Sequence, residues 1–154
     1  MKVLFWLIIL ALQIFVSLSF GIGVYMLGAL YDYQGGFDGF FSMTFVQPVV
    51  GFFTSAASIF LCLILGLPIR VLESVYQWWT QRFLLPVVIF GVGCLMLIGS
   101  FFLSEKVYQG PQGVRVVPNF SLVIAGWFTT LFALSHLFPP PRLMEFVESK
   151  FKRK

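Results

Sequence analysis

The sequence predicts an all-α integral membrane protein with four transmembrane helices, two short cytoplasmic amphipathic helices and a small external β-hairpin. Three observations carry that prediction. The first is charge: 59% of the 154 residues are hydrophobic and only 10% are charged, against roughly 25% charged in soluble domains. The second is length. Four segments, 3–31, 48–69, 83–103 and 120–138, are apolar over the about 20 residues a helix needs to cross the hydrocarbon core at about 1.5 Å rise each. The third is aromatic content: twenty Phe, four Trp and five Tyr suit a surface that meets lipid tails and headgroups. These segments take up most of the chain, so one four-helix transmembrane domain over 1–154 is expected.

The first segment carries no charge between Lys2 and Asp32. The apolar core of a signal peptide is only about 7–15 residues long and ends at a small-residue cleavage site. This run is far longer and is read as a retained helix, tilted or projecting beyond the bilayer. The connection that follows, YDYQGGFDGFFSMTFVQ at 31–47, is too apolar for a solvated linker and too rich in glycine for a helix, which predicts a loop folded back on the membrane surface or on the helix ends. Asp32 and Asp38 lack the further oxygen ligands that a cation needs and are read as surface charges.

After the second segment, GLPIRVLESVYQWWTQRFLLP at 66–86 interrupts the apolar pattern. Pro68 suits the first turn of a helix. Leu72, Val75, Tyr76, Trp79 and Phe83 then fall at spacings of three and four on one face, with Arg70, Glu73, Ser74, Gln77, Thr80 and Gln81 opposite. That period predicts one amphipathic helix over 69–83, lying in the interface or extending a span. Trp78, Trp79, Arg70 and Arg82 are its expected interfacial anchors, because an indole has an apolar body and one N–H that seeks a polar partner.

The third segment leads into SEKVYQGPQGVRVVPNFS at 104–121. Its two β-prone arms around GPQG predict the hairpin. The fourth segment is stopped by the prolines at 139–141, which lack backbone donors and clash with the preceding turn. Beyond them, Leu143, Phe146, Val147 and Phe151 define the apolar face of a second amphipathic helix over 142–152. Lys150, Lys152, Arg153 and Lys154 are further interfacial anchors, each attracted to anionic headgroups by about 1 kcal/mol near the surface.

Four crossings put the amino terminus, the middle connection and the tail on one side. That side holds eight of the ten basic residues, so the positive-inside rule makes both termini cytoplasmic. A bacterial inner membrane is the expected location.

Helices associate in lipid through small residues and a few polar groups. Ser17 with Gly21 and Gly51 with Ser55 form small-xxx-small pairs and are packing or pore candidates. Gln13 joins them, since an amide facing lipid without a partner costs several kcal/mol and must turn to another helix or a lumen.

The chemistry that catalysis needs is sparse. No segment has Asp, Glu, Lys or Arg in its interior, and His136 is the only histidine. One histidine without further ligands builds neither a zinc site nor a triad. Cys62 and Cys94 lie inside spans and read as small hydrophobes. The Gly-x-Gly pairs lie inside spans too, away from any strand-to-helix turn that would make a phosphate loop. The chain is therefore expected to be no enzyme, with no catalytic, cofactor or metal site. It has no basic face for nucleic acid. Its expected partners are membrane lipids and either copies of itself or other membrane subunits. The function expected is a structural, regulatory or assembly subunit of a membrane complex; the alternative is a pore or membrane-perturbing effector assembled around the first span with Gln13 facing inward.

Overall fold

The computed structural model describes residues 2–139 apart from 32, 34 and 109–113. The expected tail helix over 142–152, with Lys150, Lys152, Arg153 and Lys154, and the carboxylate of Asp32 lie outside the described residues. The molecule is mostly helical. The first apolar run forms one unbroken helix, α1 (Lys2–Tyr31), whose 30 residues exceed the thickness of the hydrocarbon core.

The loop expected at 31–47 is corrected by the structure. Gly35 and Gly36 both take φ of +80°, a conformation open to glycine, and the chain reverses there. Everything after the reversal is helical: α2 (Gly36–Phe41), a wider π-helical turn (Ser42–Val46) and α3 (Gln47–Leu65) follow without a break. The glycines are used in the turn itself and do not dilute a loop. Pro48 stands in the first turn of α3, where its missing N–H costs little. The wider turn before it closes the Gln47 N–H onto the Ser42 carbonyl.

The single amphipathic helix expected over 69–83 is also corrected. It is two helices, α4 (Leu67–Val71) and α5 (Glu73–Gln81), separated by Leu72 in an extended conformation (φ −88°, ψ 121°). Next come α6 (Leu84–Phe102), β1 (Glu105–Tyr108), β2 (Val114–Val117) and α7 (Phe120–Ser135). The two strands pair antiparallel, Glu105 opposite Val117 and Tyr108 opposite Val114. The small sheet is tied to the helices by Asn119. Its N–H donates to the Ser100 carbonyl at 2.9 Å, its side chain caps α7 by accepting from the Leu122 N–H at 3.0 Å, and its amide donates to the Glu105 carboxylate.

Three helices are long and apolar enough to cross a membrane: Leu4–Tyr31, the continuous rod Gly36–Leu65, and Leu84–Phe102. The fourth apolar segment is shorter than the 120–138 expected, because α7 stops at Ser135 after 16 residues. It lies at the centre of the bundle, against α6, α3 and α1. Large apolar side chains such as Phe15, Phe53 and Leu95 cover the outer faces and are exposed, as faces turned to lipid require.

Backbones approach closely where side chains vanish. A Cβ on Gly93 of α6 would lie 2.6 Å from the Thr130 methyl, and one on Gly126 of α7 would lie 2.8 Å from the Gly93 carbonyl. Across α1 and α3, a Cβ on Gly21 would lie 2.7 Å from the Ser55 hydroxyl. Below that crossing, Ile59, Cys62 and Leu131 form the buried core, with Leu18, Trp127 and Phe132 packed around it.

Candidate functional site

Two regions concentrate the polar groups and the empty space of the molecule. The first is where α3, α4, α5 and the end of α7 meet. A helix leaves its last carbonyls without partners, and α7 ends inside the protein. The collar formed by α4 and α5 supplies the missing donors. Arg70 is only 7% exposed, and its guanidinium donates to the Ser135 carbonyl at 3.2 Å. The buried Trp79 donates its indole N–H to the His136 carbonyl at 2.8 Å and meets Phe132 edge-to-face. The break at Leu72 makes both contacts compatible, since a continuous helix would place Arg70 and Trp79 on different faces.

His136 is fully buried. Its ring stacks on Phe132, and Nδ1 lies 2.9 Å from the Phe132 carbonyl, so Nδ1 is read as the protonated nitrogen. The opposite edge faces Gly66 so closely that a Cβ there would lie 1.7 Å from Nε2. Burial lowers the Arg70 pKa from its ordinary value, yet a guanidinium stays charged in proteins. A cation is thus held beneath the bundle next to the end of α7, where the carbonyls present negative potential.

Arg70 and Trp79, expected as interfacial anchors, are therefore structural pins inside the protein. Trp78 and Arg82 are on the outer surface of the collar. Trp78 is 45% exposed, with the Arg82 guanidinium 5.0 Å from its ring centroid in a cation–π arrangement. Beside them, Gln77 donates to Glu73 at 3.1 Å across one exposed helical turn.

Of the packing or pore candidates, Ser17 is buried and its hydroxyl meets that of Ser135 at 3.4 Å. Gly21 and Ser55 meet each other, and Gly51 packs against the Tyr25 ring. Gln13, expected to face another helix or a lumen, is 7% exposed within one chain. Both of its amide atoms, Ser55 Oγ, Arg70 Nε and His136 Nε2 are buried without a hydrogen-bond partner among the described residues.

The second region is a cavity of about 1430 Å³ between α1, the continuous rod Gly36–Leu65, α6 and α7, on the side of the bundle that carries the hairpin. Its walls are mainly apolar, with Val24, Leu97, Ile98, Val123 and Phe128 among them. Two internal hydrogen bonds hold polar wall groups: Tyr25 to Gln47 at 2.8 Å and Trp127 to Ser58 at 2.9 Å. None of the packing candidates lines it. Its sequence signals are the small residues Gly28, Ala29 and Ser58 and the free Cys94, which are too scattered to mark a void before the helices are placed.

Among the described residues, no three His, Cys, Asp or Glu side chains come together as a metal site would require. Comparison with known protein families, with characterised proteins and with solved structures found no match.

Proposed function

We propose that the chain is a non-catalytic subunit of a membrane complex, which crosses the bilayer four times and holds a partner through its collar. The partner is another membrane protein or a second copy of the chain. In this reading α7 makes the fourth crossing, both termini lie in the cytoplasm of a bacterial cell, and α5 is an amphipathic helix at the interface. The observation that carries it is how the buried polar groups are used. Arg70, Trp79 and His136, the residues best suited to chemistry, close the end of α7 against the collar. What remains outward is a short polar and aromatic face bearing Gln77, Trp78 and Arg82, and tryptophan and arginine are enriched where interfaces carry binding energy.

The reading is tested by isolating the tagged full-length chain in a mild detergent and measuring its mass by size exclusion with light scattering. The expected particle contains the chain with a stoichiometric second protein, or several copies of the chain. Trp78→Ala should release the partner without loss of helical content. A monomer from native membranes, combined with ion flux in liposomes containing only this protein, overturns the proposal in favour of a pore.

A further inference from the structure

Among the described residues, the collar is joined to the bundle mainly through side chains. Its two ends are Gly66 and Arg82, where the backbone leaves helical geometry with ψ of 2° and 60°. Of the helix pairs in extensive backbone contact, α5 belongs only to the pair with α4, and α4 otherwise touches the end of α3. Helices of five and nine residues do not hold their shape alone. The break at Leu72 does not part them, because the Leu72 N–H donates to the Pro68 carbonyl and the Tyr76 N–H to the Leu72 carbonyl. What keeps this unit in place is therefore its inner face.

That face is poorly matched to its seat. Two donors pin it, Arg70 on the Ser135 carbonyl and Trp79 on the His136 carbonyl. Against them stand Arg70 Nε and His136 Nε2, buried without hydrogen-bond partners among the described residues. An orphaned polar atom carries the full cost of leaving water, and the cost is larger on a charged group. The guanidinium meets a helix-end carbonyl and, among the described residues, no carboxylate. A groove of about 150 Å³ also runs between Trp6 of α1 and Tyr76, Trp79 and Thr80 of α5, where close packing would otherwise hold the helix.

Opening reverses these costs. Once α4 and α5 leave α7, every donor of Arg70 regains water, while two hydrogen bonds and the contact of Trp79 with Phe132 are given up. The helices behind the collar have no such reason to part, since α6 and α7 interlock at Gly93 and Gly126. Elements of this kind open locally, at a free energy below that of unfolding.

We propose that α4 and α5 form a gate that swings open as one unit about Gly66 and Arg82 and bares the end of α7 together with the Arg70 cation. The gate belongs to the single chain, so it stands whether or not the outer face of the collar holds a partner.

Ile69 reads the gate. It is buried at 6% exposure on α4 and takes no part in either pin. In full-length Ile69→Cys in mild detergent, the rate at which a charged thiol reagent modifies position 69 is followed by peptide mass spectrometry. The native Cys62, buried in the core at 1% exposure, is the internal control. Position 69 should be modified at least about tenfold faster than Cys62. Adding Trp79→Phe, which removes one pin, should raise the rate at 69 by about tenfold more and leave Cys62 unchanged. Modification of 69 only in step with Cys62 overturns the proposal, because the collar then leaves the bundle only on global unfolding. A rate at 69 that Trp79→Phe does not change overturns it too. Hydrogen exchange reads the gate without the added cysteine: amides of both α4 and α5 should exchange faster in Trp79→Phe than in wild type, with those of α6 and α7 unchanged. Acceleration confined to α5 rejects the gate, as fraying around residue 79 would behave so.

Discussion

Gly66 is held to its identity by space. Its φ of −84° suits any residue, yet a Cβ would lie 1.7 Å from the His136 ring. Gly66→Ala must therefore push the ring off the Phe132 stack, and overpacking of this kind costs about 1–3 kcal/mol. Denaturant unfolding in detergent should show that loss, and His136→Ala in the same chain should recover part of it. Strict additivity of the two changes would contradict the contact. The tandem tryptophans divide in the same way. Trp79→Phe leaves the His136 carbonyl without the indole donor it uses at 2.8 Å, at a cost of about 1–3 kcal/mol for an orphaned buried acceptor. Trp78→Phe, half exposed to the surroundings, should change unfolding far less. Equal effects at both positions would reject the assignment of Trp79 as a pin. The sequence places both indoles near the interface by composition. It does not separate them, because the donor that matters meets a carbonyl 57 residues away.

The elements that local pattern specifies and those that tertiary contacts specify separate along the chain. Uninterrupted apolar runs make α1, α3 and α6 legible from hydropathy alone, and β-prone arms around Gly and Pro make the strand pair legible too. The helical stretch after Gly36 is hidden by its glycines, since composition does not say that Gly35 and Gly36 make the turn while Gly39 sits within the helix. The collar is hidden differently: its 3.6-residue pattern is continuous through Leu72, and only the contacts of Arg70 and Trp79 with the end of α7 favour the break. Helix contacts also decide which glycines matter. Gly93 touches Thr130 and the Gly126 carbonyl, while Gly91 and Gly99 on the same helix face open space. Gly93→Leu should therefore part α6 from α7 and lower the thermal midpoint in detergent by several degrees or prevent folding, whereas Gly91→Leu should leave it near wild type. A chain that tolerates Gly93→Leu as well as Gly91→Leu would show that the two helices do not cross there.

At the scale of the whole molecule, Gln13 decides between a packed bundle and a pore. The sequence establishes that this amide must avoid lipid, and two destinations satisfy that demand: a neighbouring helix or a lumen shared between copies. The placement of α3 and α7 around α1 buries Gln13 within one chain, which supports the first. Both amide atoms lack partners among the described residues, and an unsatisfied buried polar group costs about 1–3 kcal/mol. Leucine has a similar size and needs no hydrogen bonds, so Gln13→Leu should raise the unfolding midpoint while leaving the mass of the isolated particle unchanged. A lumen-lining amide behaves in the opposite way, because its loss dehydrates the pore and weakens contacts between copies. If Gln13→Leu dissociates the particle or abolishes an ion flux that wild type supports, the amide reaches beyond its own chain and the bundle described here is not the functional unit.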